Sequence, residues 1–267
     1  MNNLQIMYQS TIDFLKNNWK IVSLSFLLYC FFLISSLPAK MAIAWIMPKS
    51  NSDVSIVAPE GSIWSGKLAS VGTKGINVNN FRWDLNLFPL LYGNLSVDFI
   101  FGDKETRGTG VINLAMGSNR IEVENLMAKM PISFLQPLMV GVPAKLDGQL
   151  SAHFDSIVYA PGDEILAKGN LVWNSAAITV MQTVQLGDLK LSLLPRDKGS
   201  HGLLKDAGGP LILDGTVQLS NKGQYQAAIK VGTRSTAEAA LKQSMPFLGR
   251  AGADGKIQIR RSGRLPF

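Results

Sequence analysis

From Pro48 onward the chain alternates. In FRWDLN, Phe81, Trp83 and Leu85 point one way while Arg82, Asp84 and Asn86 point the other, the period of two expected of a strand with one buried and one wet face. The same alternation carries Leu95, Val97, Phe99 and Phe101, then Leu189, Leu191 and Leu193, then Leu211, Leu213, Val217 and Leu219. Gly, Asn and Asp bound the runs, as turn residues do. Parallel strands, covered on both faces, would read as continuous apolar runs instead. The pattern predicts a mainly β chain: a Gly-punctuated antiparallel sheet, either one curved sheet or a sandwich, with short helices.

Ahead of this lies a segment of another kind. IVSLSFLLYCFFLISSL, from Ile21 to Leu37, carries no charge, with Trp19 before it and Pro38 after it; it is long enough to cross a bilayer. A cleaved signal peptide would have a shorter apolar core and a small residue three positions before the cut, where Leu37 stands in SLPAK. The expectation is an uncleaved transmembrane anchor over residues 21–38, with Ile21, Leu24, Leu27, Leu28, Phe31, Phe32 and Leu37 facing lipid. Lys16, Lys20 and the amino terminus precede it, and Lys40 and Lys49 follow. That bias favours an N-terminus inside: residues 1–20 cytoplasmic and residues 39–267 forming a periplasmic β domain at the inner membrane of a two-membrane bacterium. MAIAWIM, from Met41, reads as the end of the same helix or as a short interfacial one.

The net charge of +7 raises nucleic-acid binding, which needs basic residues clustered on one face with aromatics between them. Here they are scattered, apart from Arg250, Lys256, Arg260, Arg261 and Arg264 near the end of the sequence. No nucleic-acid partner is expected. GSIWSGKL, from Gly61 to Leu68, nearly matches the phosphate-cradling pattern of nucleotide-binding loops. Leu68 occupies the position of the metal-binding hydroxyl, Ile63 and Trp64 crowd the loop, and Gly72 and Gly75 follow too soon for the helix such a loop must open. Gly61 and Gly66 instead fit a turn or bulge, with Trp64 packed on the sheet.

Cys30 is the single cysteine, so no intramolecular disulfide and no thiolate cluster is available. His153 and His201 have no metal-ligand spacing. His153 falls on the polar side of AKLDGQLSAHFD with Asp147, Gln149 and Asp155. No catalytic residues, cofactor or metal are expected.

The β region also echoes itself. A D-G cell recurs as LDGQL, LDGTV and ADGKI, placing Gly148, Gly215 and Gly255 at one motif position. GSIWSGKL is matched by GNLVWNSA, and GTGVINLAMGSN by LDGTVQLSNKGQ; MPISFLQPLM and MPFLGRAG then lead into the closing D-G strands. Four matches in one order point to duplicated β units over about 61–155 and 169–267.

These residues resemble the N component of the bacterial type II secretion system. The resemblance covers nearly the whole chain and rests on the anchor ending in LPAK, on GSIWSGKLASV, FRWDLNLFPLLYGNLSVDF, AKLDGQL, LGDLKLSL and GGPLILDGTVQLSNKGQYQ. Within these stretches lie Gly61, Trp64, Gly66, Trp83, Pro89, Gly93, Gly148 and Gly215. The resemblance implies a non-enzymatic accessory subunit of the machinery that exports folded proteins across the outer membrane, in contact with its other inner-membrane or periplasmic components and with membrane lipid. The alternative is a periplasmic lipid-binding or lipid-transfer protein whose curved sheet forms a hydrophobic groove.

Overall fold

Alternation resolves into a single sheet. The computed structural model describes residues 18–46, 54–73, 75–118, 120–138, 144–159, 165–180, 182–196, 199–220 and 223–264. Two helices come first, α1 (Trp19–Ser35) and α2 (Ala39–Ile46). The strands are β1 (Val54–Val57), β2 (Glu60–Gly61), β3 (Ser65–Thr73), β4 (Ile76–Asn86), β5 (Asn94–Gly102), β6 (Arg107–Ala115), β7 (Ile121–Pro131), β8 (Lys145–Tyr159), β9 (Leu166–Thr179), β10 (Thr183–Arg196), β11 (Gly199–Asp206), β12 (Leu211–Leu219), β13 (Gln224–Thr233) and β14 (Ile257–Arg264). One helical turn, α3 (Leu87–Leu90), interrupts β4 and β5. A 3₁₀ segment (Ile132–Leu138) joins β7 to β8, and α4 (Ala239–Ser244) with a second 3₁₀ turn (Met245–Leu248) joins β13 to β14.

From β3 to β14 every strand pairs antiparallel with the next, β1 pairs with β3, and β2 sits off this path against β3. The described strands form one 14-stranded sheet, so a curved sheet and not a sandwich is the outcome. The reason is local: each turn returns the chain to its immediate neighbour, which leaves no strands over for a second layer.

Registers carry the apolar face across the sheet, because directly opposed residues share a face. Leu68 opposes Phe81, Trp83 opposes Phe99, Phe99 opposes Gly110, Leu171 opposes Leu191, Leu191 opposes Leu204, and Ile229 opposes Ile259. The opposite face carries Lys67, Arg82, His153, Lys190 and Lys205.

Three devices cover parts of this apolar face. First, aromatic rings lie down on glycines of neighbouring strands: a Cβ at Gly66 would collide with the Trp83 ring, one at Gly108 with Phe101, and one at Gly110 would stand 2.9 Å from Phe99. Phe81, Phe99 and Phe101 continue as a stacked ladder, with centroids 6.1 and 6.2 Å apart. Second, the helical segments press onto the face. Ile132 packs with Leu146 and Leu150, and Leu241 of α4 with Leu186, Leu211, Leu213 and Val231; the two clusters meet at Trp173 and Ile178. Third, β9 is tied to β11 past the end of β10. The Ala167 N–H of β9 donates to Ser200 Oγ of β11 at 2.7 Å, and that hydroxyl donates to Ile165 O at 2.8 Å, closing Phe154, Ala167 and Leu193 into a third cluster.

Counted from β3 and again from β9, five strands, a helical segment and a closing strand follow in the same order, with α3 an extra turn in the first series. The D-G cells differ in detail. Gly148 lies at a bulge in β8 with φ +113°, and Gly255 in the turn before β14 with φ +72°. Gly215 sits in mid-strand opposite Ile229 and is not in the left-handed region. There a close approach explains the glycine, since a Cβ would be 2.9 Å from Ala228 O.

Candidate interaction surface

The motif residues gather at the junction between the helices and the sheet. Pro38 makes an isolated bridge to Ser62, and the Ile63 N–H donates to Leu37 O at 3.1 Å. One step further in, Trp83 Nε1 donates to Ile63 O at 3.1 Å and the Leu85 N–H to Trp64 O at 2.6 Å. The segment from Ile63 to Trp64 is thus clamped between the exit of α1 and the end of β4. Gly61 makes this turn possible: its φ is +91° and a Cβ would meet Ser65 O at 2.6 Å. Gly66 admits the Trp83 ring, and Trp64 is half-buried in the turn. Lys67 stands on β3, where its ammonium pairs with Glu60 at 2.8 Å; GSIWSGKL is a turn and a strand, with no helix opening on it.

Pro89 and Gly93 lie at the next turn. Asn86 ends β4, α3 follows, and Gly93, with φ +74°, returns the chain to β5. The Met116 N–H of the β6–β7 turn donates to Gly93 O at 2.8 Å, so the two turns stand side by side. Sequence reasoning found Pro89 and Gly93 but missed their neighbours Leu87, Phe88, Leu91, Tyr92 and Met116, which are 56–78 % exposed. The signal was present in LFPLLY, a run too apolar for an ordinary turn. Beside it a hollow of about 340 Å³ is lined by Pro89, Asn94, Asn113, Leu114, Arg120 and Glu122.

Of the residues expected in the anchor, Ile21, Leu24, Leu27, Leu28, Phe31 and Phe32 lie in α1, and Leu37 follows its end. Ile21, Leu24, Leu27 and Leu28 are 59–66 % exposed. Among the described residues no helix is long and apolar enough to cross a membrane. Residues 1–17, expected to be cytoplasmic, lie outside the described residues. Met41 to Ile46 of MAIAWIM belong to the separate helix α2, whose Ala39 is buried, and Met47 lies outside the described residues.

Elsewhere the polar groups are used structurally. Gly148 is enclosed by Asn174 O, Ser175 O and Trp173 Nε1, the last of which donates to Asp147 O at 3.0 Å. His153 and Asp155 share the exposed face of β8 at 3.7 Å, and Lys168 reaches the same carboxylate at 3.1 Å. Asp206 accepts the Leu213 N–H at 2.8 Å and the Arg234 guanidinium at 2.5 Å, while Arg234 also donates to Gly209 O and Leu211 O. Burial pushes the Asp206 carboxyl up, but the Leu213 N–H, Arg234 and the Gly208 N–H outweigh it and hold the group below its ordinary value. Asp103 is held low by the Thr106 and Glu105 N–H groups that it accepts. Among the described residues no three His, Cys, Asp or Glu side chains gather as a metal site. A second hollow, of about 330 Å³, lies across β12, β13 and β14 between Gln218, Gln226, Arg260 and Arg261.

At the edge of the sheet remote from α1 in strand order, Phe247 stands 90 % exposed beside Leu248, on the turn leading to β14. Among the described residues, exposed apolar side chains thus stand beside α1 and beside β14, and singly along the sheet at Ile100, Met127, Val180, Leu194 and Leu203.

No solved structure matches this chain. A protein from Aeromonas hydrophila named type II secretion system protein N is 29 % identical over 94 % of this chain and 100 % of its own length. One of the same name from Vibrio cholerae serotype O1 is 26 % identical over 87 % of this chain and 93 % of its own. The family model for type II secretion system protein N matches residues 52–260, nearly the whole sheet from β1 to β14. The chain belongs to the type II secretion system protein N family, and is thus a component of that machinery.

Proposed function

We propose that this component is a non-enzymatic accessory subunit held in the inner membrane by α1, with its sheet in the periplasm, acting through protein–protein contacts with other parts of the secretion machinery. The observation that carries this reading is α1: Ile21, Leu24, Leu27 and Leu28 are all exposed on a helix whose sequence is apolar all round. Such a helix is stable in a protein core or in lipid, not in water. Its 17 residues span about 26 Å at 1.5 Å per residue, against a hydrocarbon thickness of about 30 Å. Leu37, Pro38 and α2 continue the chain at the interface.

The contact surface follows from what the sheet leaves uncovered. Phe247 and Leu248 stand side by side and exposed at its far edge in strand order, and we take this pair as the centre of the contact surface. His153 and His201 lie on different strands, β8 and β11, and do not converge on one site. The alternative, lipid carriage along the sheet, asks for an apolar face open to an acyl chain. Rings on glycines and the two helical segments cover part of that face with the protein's own side chains, which favours the subunit reading.

We also read β3–β8 and β9–β14 as copies of one unit, on their common order of elements; superposition of the two halves tests this. The functional reading is tested by photo-crosslinking from position 247 in cells running type II secretion. The expected product is a crosslink to another subunit of the machinery. Crosslinks confined to lipid would favour the alternative.

A further inference from the structure

We infer that the paired turns at α3 form a second membrane contact: an apolar foot of Leu87, Phe88, Leu91, Tyr92 and Met116 that enters the phospholipid interface beside α1. The inference rests on the reading of α1 as an anchor and extends it to the sheet.

Three observations converge. The five side chains are 56–78 % exposed, although they sit on two adjacent turns where polar residues are the rule. The turns are tied to each other by the Met116 N–H to Gly93 O bond and to α1 through Leu85, Trp64, Ile63 and Leu37. The foot therefore stands within one short relay of the exit of α1, and a bilayer holding that helix lies against it. A cation also stands beside the foot. Arg120, exposed at the end of the β6–β7 turn, lines the hollow beside Pro89 with Glu122. An arginine beside an apolar wedge meets lipid phosphate while the wedge enters the acyl boundary, and Tyr92 belongs to the residue types enriched at headgroup level. A protein partner could cover the same patch, but the relay to α1 places a lipid surface there first.

The consequence is orientation. A sheet joined to the membrane through one helix exit would swing, whereas a foot beside that exit fixes the angle at which Phe247 is presented.

The test uses the full chain with Cys30→Ser, reconstituted in vesicles of phosphatidylcholine and phosphatidylglycerol. Single cysteines carry an environment-sensitive fluorophore at Leu28→Cys, Leu91→Cys, Tyr92→Cys or Phe247→Cys, and the lipids carry a nitroxide in the acyl chain. Blue-shifted, quenched emission at Leu28→Cys and at both foot positions, with water-like emission at Phe247→Cys, is expected. Quenching at Leu28→Cys alone overturns the foot and leaves the anchor standing. No quenching at Leu28→Cys removes the anchor and the foot with it. Equal quenching at Phe247→Cys also overturns the proposal, because the sheet would then lie on the bilayer without a distinct foot.

Discussion

Replacing Gly148 by valine brings two separate penalties, and the sheet provides a position where only one of them operates. Gly148 has φ +113° at a bulge in β8, and a Cβ there would lie 2.6 Å from Asn174 O, 2.7 Å from Ser175 O and 2.8 Å from Trp173 Nε1. Two of these three neighbours are backbone atoms of β9, fixed by the pairing on both sides of the bulge, so they cannot swing aside. Backbone strain costs about 1–3 kcal/mol, and overpacking adds about 1–3 kcal/mol. Gly255 has φ +72° but nothing within 4 Å of its would-be Cβ, so Gly255→Val meets the strain alone. Gly148→Val is therefore expected to lose about 2–6 kcal/mol and Gly255→Val about 1–3 kcal/mol. Gln149→Val and Lys256→Val, one residue on, are at half-buried positions outside the left-handed region and should each cost less than the neighbouring glycine replacement. Urea unfolding of the detergent-solubilised chain, followed by tryptophan fluorescence, measures all four. Equal losses at the two glycines would refute the argument from close approach. No loss at either would refute the argument from positive φ as well.

The low-held Asp206 carboxyl gives a pH dependence. Its stabilisation is fully present above the ordinary carboxylate value and is lost as pH falls through the lower folded value; wild-type unfolding free energy should fall as pH drops from about 5 to below 4, with Asp206→Asn contributing no such slope. Arg234→Ala should cost about 2–3 kcal/mol, less than a fully buried pair, because the Arg234 side chain keeps 38 % exposure. Ser200→Ala leaves the Ala167 N–H and Ile165 O unpaired in the core and should cost about 2–4 kcal/mol, with faster hydrogen exchange at the Ala167 amide as its signature. Lys67→Ala should change stability by less than about 1 kcal/mol, since it removes only an exposed pair with Glu60; nucleotide binding lost in this variant would contradict the assignment of GSIWSGKL to a turn and a strand.

The alternation made the sheet legible because a one-sided sheet fixes every second residue. Phe81, Trp83 and Leu85 are half-buried on β4 while Arg82, Asp84 and Asn86 are exposed. The helical segments before β8 and β14 were also legible, from their Met-Pro starts. Alternation tells which side chains turn inward but not what meets them, so a sandwich and a single sheet looked alike. Strand glycines read as turn or bulge residues, yet Gly66, Gly108 and Gly110 are platforms for rings on the neighbouring strand, a relation between residues distant in sequence. Breaks in the period were hidden for a different reason. Asn80, Asn125 and Ser175 take positive φ, and nothing in their local sequence demands it. The foot was missed because LFPLLY was read only as a family stretch, although six residues without a charge seldom make an exposed turn.

The orientation of the sheet across the inner membrane is the claim on which the subunit reading depends. Ala253 lies at the exposed turn before β14, so Ala253→Cys in a Cys30→Ser background offers one reactive thiol beside the sheet. A membrane-impermeant maleimide applied to intact cells with a permeable outer membrane should label it fully, with no gain on lysis. Labelling that appears only after the inner membrane is broken would place the sheet in the cytoplasm and contradict the account.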